Sequence, residues 1–448
     1  MGSFGKRSKF VLGMAVAIGL AATVLFARPT AARSVPRVLP AGCAAKPSSA
    51  IQHLVVIIQE NHSFDSYFGS YCKAAVGSNP ACTNGPECCE ASPPRDPGSR
   101  RAPVLLTDEE NASFSPDHSR GCEESEINGG KMDHFVEGAC GNPRNFAVAD
   151  PKVMAPYWTL ARNGALADRY FQPVAGASSS NDMYFARASY VFTDNEVMPL
   201  SVGAKCGGGT TVRRNYTDAT IGDLLLGCDV PWAFYAEGYA DMQQAESAGR
   251  CPTPGAECRA HSDAYPCTFD PSDIPFEYYP TTQDNPRTMK DFTAFGEAVA
   301  HGNLPAVSFI KALGFRTEHP GDDVTVTDGE TFVAGVVKQV MASPYAANTL
   351  ILITMDESGG YFDHVAPPAA SRVDHQPYGP RLPLIAVGRF VRAGEVSHVT
   401  MEHSSIVKFI EWNWLGGKTG QLGTRDGEVN NIGSILDPVA TVTEVPSN

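Results

Sequence analysis

Charge is scarce in this chain, and positive charge scarcest. Only 19% of the 448 residues are charged, and 35 Lys+Arg stand against 49 Asp+Glu, a net of −14. That balance excludes a nucleic-acid wrapper, because neutralising a phosphate backbone takes a cationic surface. Long apolar runs are missing too, apart from Phe10–Ala27 near the start, which excludes a polytopic membrane protein. No cysteine follows Cys267, so the last 181 residues have no covalent staples. There is no internal repeat and no heptad pattern, which removes solenoids and coiled coils. What is present is 43% hydrophobic residues and an ordinary 9% of aromatics, enough for a sizeable buried core. The length permits one large α/β domain or two to three smaller ones.

The single apolar run is preceded by Lys6, Arg7 and Lys9 and followed by Ala31-Ala32. A basic segment, an apolar segment and small residues form the layout of a secretory signal, expected at residues 1–32. The competing reading, a retained membrane anchor, needs roughly 20 apolar residues, and this run is slightly short. Cleavage after Ala32 would leave 31 cationic against 49 anionic residues, a net of −18. All 12 cysteines lie beyond that point, an even number. A secreted or periplasmic chain would turn them into as many as six disulfides. A zinc cluster around Cys82, Cys88 and Cys89 is the weaker alternative, because paired C-x2-C units are absent.

The hydrophobic pattern alternates strand and helix. His53–Ile58 and Thr349–Met355 are continuous, β-branched apolar runs, as expected of strands buried on both faces of a parallel sheet. Further strands are expected at 167–173, 231–236, 306–311 and 382–387. Helices are expected at 157–163, 181–190, 221–226, 289–300, 331–341 and 404–414. This order predicts an α/β fold, a doubly wound, mostly parallel sheet sandwiched by helices. Phe276, Tyr278 and Tyr279 read as packing residues rather than as a lipid-facing mouth.

In such sheets ligands bind beyond the carboxyl ends of the strands. Four strands here end in polar clusters: Glu60-Asn61-His62-Ser63, Asp356-Glu357-Ser358-Gly359-Gly360, Gly176-Ala177-Ser178-Ser179-Ser180, and Arg316-Thr317-Glu318-His319. Glu60, Asn61, Asp356 and Glu357 form an all-oxygen set suited to a hard divalent metal ion such as Ca, Mg or Mn. A hydroxyl beside such an ion becomes a better nucleophile, and Ser178, at a strand-to-helix turn, is the candidate. Free backbone N–H groups at that helix start would suit a phosphate oxygen. His319 and His364 can donate protons or bind phosphoryl oxygens. Each residue also has a plain reading, Ser178 as a helix cap and His364 as a loop residue; their joint placement favours the chemical one.

These residues resemble the bacterial phosphoesterases that include phospholipases C and secreted acid phosphatases. The resemblance covers roughly 50–435, the expected catalytic domain. It is carried by Val55-Val56-Ile57-Ile58-Gln59-Glu60-Asn61-His62-Ser63-Phe64-Asp65, by Asn128-Gly129-Gly130-Lys131-Met132-Asp133, by Asp356–Pro368 and by Tyr378–Pro383. It implies an alkaline-phosphatase-like fold and metal-dependent cleavage of phosphate esters. Carried over by position, Glu60, Asn61, Asp356, Glu357 and Ser178 would hold the metal, whether Ca, Mg, Mn or Zn. Ser178 would be the nucleophile, with His118, His319 and His364 around the phosphoryl group. Two departures stand out: Ser358 where the family commonly has His, and Ser180-Asn181-Asp182 where it often has Pro-Asn-Arg.

The expected partner is a phosphate-ester or phospholipid substrate, with no nucleic acid and no membrane span after signal removal. Phospholipid-specific members often carry extra β-rich modules, and a chain stopping near Asn448 would leave no room for them, so a compact phosphatase or general phosphoesterase is expected about as readily as a phospholipase C. Two other classes remain: a non-catalytic phosphate- or lipid-binding relative, and an acyl-ester serine hydrolase. Against the latter, the sequence lacks the second glycine of the G-x-S-x-G elbow.

Overall fold

The β-branched runs become the centre of the molecule. The computed structural model describes residues 42–44, 46–207 and 212–448, and the expected signal at 1–32 lies outside them. Among the described residues twelve strands form: β1 (His53–Gln59), β2 (Val104–Leu106), β3 (Ala147–Ala149), β4 (Ala165–Phe171), β5 (Val197–Met198), β6 (Val212–Arg213), β7 (Trp232–Ala236), β8 (Met289–Asp291), β9 (Val307–Lys311), β10 (Thr349–Met355), β11 (Arg381–Val387) and β12 (Glu395–Ser397). Eight of them build one sheet in the order β12-β4-β11-β10-β1-β9-β7-β8. Its pairings are parallel except those of β11, which runs antiparallel to both β10 and β4. The expected doubly wound, mostly parallel α/β sheet is therefore observed.

Leu54–Ile58 of β1 are fully buried, as is the whole of β10, because helices cover the sheet. Pro151–Asn163 packs on Val326–Met341, and Thr293–His301 packs on the latter. Ser178–Arg187, Ile221–Gly227 and His403–Trp414 pack on one another as a second group. Local chemistry sets their ends. Asp150 accepts a hydrogen bond from Lys152 N–H and Pro151 occupies the first helical position, which starts that helix six residues before the apolar periodicity does. The helix expected from Met289 instead begins at Thr293. Met289–Asp291 pairs as an edge strand with β7, and Asp291 Oδ1 then accepts the Thr293 N–H at 2.9 Å.

All 12 cysteines are paired in six disulfides: Cys43–Cys228, Cys72–Cys89, Cys82–Cys88, Cys122–Cys140, Cys206–Cys251 and Cys258–Cys267. The thiols of the alternative zinc cluster are consumed by two of these bonds. Phe276, Tyr278 and Tyr279 are core residues, each at most 1% exposed. No helix among the described residues is long and apolar enough to cross a membrane.

Ile57 lies at the middle of the sheet, opposite Ile353 on one side and Ile310 on the other. Ile57→Ala is expected to cost about 2–5 kcal/mol in equilibrium urea unfolding. Val439→Ala, at a largely exposed position, should stay within about 0.5 kcal/mol of the parent.

Candidate active site

Strand register brings the polar clusters together. β1 and β10 run side by side with Gln59 opposite Met355, so Glu60-Asn61 and Asp356-Glu357 leave the sheet as neighbours. Asp356 N–H donates to Gln59 O at 3.0 Å, and Asn61 N–H donates to Asp356 Oδ1 at 3.2 Å. Asn61 adopts a left-handed backbone, φ 65°. Gly359 presses against it so closely that a Cβ there would sit 2.2 Å from Asn61 O, which is why the loop after β10 needs glycine.

β4 delivers Ser178 to the same place. Ser178 opens the helix Ser178–Arg187, and its Oγ donates to Asn61 Oδ1 at 3.3 Å. The turn before it is pinned rather than open. Asp194 Oδ1 accepts the Ala177 N–H at 3.0 Å and Asn195 Oδ1 accepts the Ser179 N–H at 2.8 Å, so two of the expected free N–H groups are already engaged. His118 Nε2 lies 3.5 Å from Asn61 Nδ2 and 3.8 Å from Glu357 Oε1. Its Nδ1 is 2.9 Å from Pro116 O. His319 stands edge-on to both His118 and Tyr265, with ring centroids 5.8 and 5.5 Å apart. Seven of the eight sequence-derived site residues thus converge: Glu60, Asn61, His118, Ser178, His319, Asp356 and Glu357.

His364 does not join them in this arrangement. Its Nδ1 is 2.8 Å from Asp65 Oδ2 and its Nε2 3.0 Å from Glu90 Oε2, so both ring nitrogens are engaged by carboxylates. Arg381 completes this network through Asp65 and Asp363. In this structure His364 forms a buried ionic joint that ties the segment after β1 to the disulfide-bonded loop around Glu90.

Two residues central to the electrostatics carried no role in the sequence reading. Lys311, the last residue of β9, buries its ammonium among acids. Its Nζ is 2.7 Å from Glu60 Oε1, 3.6 Å from Asp356 Oδ2 and 3.9 Å from Asp182 Oδ2. A lysine closing a buried strand at the ligand-bearing rim was the available signal. Asp182, noted only as a departure, faces that ammonium from the helix of Ser178. Burial disfavours the charge on Lys311, but Glu60, Asp182 and Asp356 outweigh it and hold the ammonium well above its ordinary pKa. Burial likewise opposes the Glu60 carboxylate, but the Lys311 and His319 charges together with the hydrogen bonds from Lys311 and Tyr265 outweigh it, so Glu60 titrates below its ordinary value. Tyr265 and Thr317 hydroxyls donate to Glu60 Oε2 at 2.6 and 3.0 Å.

One ammonium does not balance four carboxylates. Burial and neighbouring negative charge push Glu357 and Asp182 well above the ordinary carboxyl range, and burial raises Asp356. Glu357 Oε1, Asp356 Oδ2 and both Asp182 oxygens are buried with no hydrogen-bond donor. Surplus buried oxygens of this kind are the donor chemistry of a hard divalent cation, so the residues fit one. Two tighter groups of possible ligand residues also occur among the described residues. Asp65–Asp363–His364 is neutralised by Arg381, and Asp117–Cys122–Cys140 has its sulfurs in a disulfide. Burial, with His319 nearby, lowers His118 to about 4, which keeps it a neutral imidazole near pH 7.

The sequence profile of the phosphoesterase family matches residues 51–415. The chain belongs to this family. Among curated members it is 26% identical over 418 residues to a non-hemolytic phospholipase C of Burkholderia pseudomallei, covering 81% of this chain and 55% of that one. It is 25% identical to the non-specific phospholipase C6 of Arabidopsis thaliana, covering 80% and 67% of the two chains. To the phospholipase C B of Mycobacterium tuberculosis it is 22% identical, covering 86% and 78%. The chain thus spans about half the length of the Burkholderia phosphoesterase. A solved protein of the alkaline phosphatase superfamily from Vibrio parahaemolyticus aligns over 89% of this chain and 76% of its own, at 10% identity and a TM-score of 0.37, a likeness too loose to carry a functional conclusion.

Two outcomes are expected of this site. Lys311→Met should destabilise by about 3–5 kcal/mol in denaturant unfolding, because it strands buried carboxylates, and adding Asp182→Asn should recover part of the loss. A cost below about 1 kcal/mol would mean that Lys311 does not balance these acids. The second concerns His364. Burial opposes its protonation, yet Asp65 outweighs burial and raises its pKa above the ordinary 6.5. Its contribution to stability is therefore full below about pH 6.5 and lost as pH rises through the folded-state value. Unfolding free energy measured from pH 6 upward should fall in the parent and fall less in His364→Gln; equal slopes would remove the ion pair from the account.

Proposed function

We propose that the chain is an exported, metal-dependent phosphoesterase that cleaves phosphate esters through Ser178, its catalytic domain spanning about 50–435 and its first 32 residues serving as the export signal. The observation that carries this reading is the placement of Ser178 Oγ against Asn61, between the loops that follow β1 and β10. The curated relatives are named phospholipases C, which favours a phosphodiester of the phospholipid-headgroup type as substrate. Six disulfides support export to an oxidising compartment.

The chain's own groups divide the work. Asn61 Oδ1 accepts the Ser178 hydroxyl proton in a hydrogen bond and leaves the oxygen lone pairs for the phosphorus atom. The positive end of the helix Ser178–Arg187 favours the anionic phosphoryl group. The serine proton leaves with the departing alkoxide, which becomes the alcohol, and His118 stands beside Asn61 and Glu357 on the phosphoryl side of the serine. Attack forms a Ser178–O–P bond and breaks the P–O bond to the alcohol; water then releases phosphate, or a phosphomonoester, and restores the serine. A divalent ion held by Glu60, Asn61, Asp356, Glu357 and Ser178 would favour the serine alkoxide and offset the phosphoryl charge. An acyl-ester hydrolase is the poorer reading, because Ser178 donates to an amide oxygen rather than to an imidazole.

The mature chain should hydrolyse p-nitrophenyl phosphorylcholine, and p-nitrophenyl phosphate more slowly. EDTA and Ser178→Ala should each lower the rate by at least about 1000-fold, with divalent ions reversing the former. No turnover of either substrate at any pH from about 5 to 9, with Ca, Mg, Mn or Zn supplied, would defeat the reading. Labelling of Ser178 by a fluorophosphonate without metal would favour the acyl hydrolase instead.

A further inference from the structure

The carboxylate of Glu123 joins three parts of the site that no catalytic step uses it for. Glu123 lies on the helix Arg120–Ile127 and is fully buried. Its Oε2 accepts the Gly176 backbone N–H at 2.7 Å and Gln172 Nε2 at 2.9 Å, and its Oε1 accepts Ser358 Oγ at 2.7 Å. Gln172 closes the ring: its Oε1 accepts the Ser358 N–H at 3.0 Å while its Nε2 also donates to Gly176 O at 2.9 Å.

Position gives this ring its meaning. Gly176 stands two residues before Ser178, and Ser358 directly follows Glu357. Gly176 has φ 130°, and a Cβ there would lie 2.5 Å from Asp194 Oδ1, so the turn has little room to settle elsewhere. One buried carboxylate therefore spans the turn that presents Ser178 and the loop that presents Asp356-Glu357. The neighbouring Cys122 is bonded to Cys140, which anchors the helix carrying Glu123.

We propose that Glu123 is a positioning residue: it sets the separation between the Ser178 turn and the Asp356-Glu357 loop, and so governs the rate of phosphoryl transfer without touching the substrate. The proposal rests on Ser178 being the nucleophile. Three donors converge on the carboxylate, so alanine leaves three buried groups without their acceptor and frees both loops to drift. Glutamine can rebuild the ring. Its amide oxygen accepts from Gly176 and Gln172, and its NH₂ donates to Ser358 Oγ, a hydroxyl that can accept as well as donate.

The test compares purified Glu123→Ala, Glu123→Gln, Ser358→Ala and Ser178→Ala with the parent on p-nitrophenyl phosphorylcholine, with bound metal measured by elemental analysis in each. An ångström-scale misplacement costs on the order of 100-fold in rate. Glu123→Ala should therefore lose about 30–100-fold in kcat while KM stays within about threefold. Glu123→Gln should remain within about fivefold of the parent, and Ser358→Ala, which removes one arm, should fall between them. Metal content should match the parent in the Glu123 and Ser358 variants. Parental kcat in Glu123→Ala, a loss confined to KM, or equal impairment of the glutamine and alanine variants would overturn the proposal. If Glu123→Ala does not fold, Ser358→Ala decides, and parental kcat there overturns it. An active Ser178→Ala would defeat the underlying reading; an inactive one beside fully active Glu123 and Ser358 variants would defeat this proposal alone.

Discussion

The parallel pairing of β1 with β10, Gln59 against Met355, is the constraint on which the site depends. It rests on two runs of β-branched and aliphatic residues that have nowhere to go but the interior of a sheet covered on both faces. Once that register is set, the first polar residues after each strand emerge as neighbours. A slip of one residue would turn every side chain of a strand to the other face and separate Asn61 from Asp356. The geometry of the candidate site is thus fixed by hydrophobic burial several residues away from it.

The second organising feature is a charge imbalance that the fold tolerates at its centre. Burying one ion costs several kcal/mol, and here Lys311 sits with Glu60, Asp182 and Asp356 at 3% side-chain exposure or less. The lysine recovers part of that cost, while Glu357 and Asp182 remain under pressure to take up protons. A site that holds more buried acids than its own cation can balance is prepared for a second positive charge. The acidic net charge of the chain therefore has two components: a few groups directed at one buried point, and the remainder spread over other parts of the molecule.

Much of this was legible in the sequence, and the exceptions have physical reasons. The long strands and the four polar blocks after β1, β4, β9 and β10 could be read because each is a local pattern, an apolar run followed by polar residues. The direction of β11 could not be, since the alternation of side chains is the same in either direction. β8 and β12, three residues each, are too short to show a period, and pairing at the sheet edge is what makes them strands. His364 and His118 look alike in sequence. What separates them is that Asp65 and Glu90 reach His364 from distant parts of the chain, while Asn61 and Glu357 reach His118. Lys311 went unassigned for a similar reason: a charged residue closing an apolar strand gains a role only when the acids of three other segments surround it.

The lone antiparallel strand changes how much chain the rim can hold. Had β11 been parallel to β10, the connection between them would have had to return to the opposite edge of the sheet before re-entering it. Because β11 begins where β10 ends, with Arg381 beside Phe171 and Leu384 beside Thr354, the whole of residues 356–380 stays at one edge. That segment includes Asp356, Glu357, the Gly359-Gly360 turn, the His364 joint and Asp374, which binds Arg425. Reversing one strand converts what would have been scaffold into wall. Insertions beyond the Gly359-Gly360 turn would lengthen one rim of the sheet without disturbing the strand register beneath it.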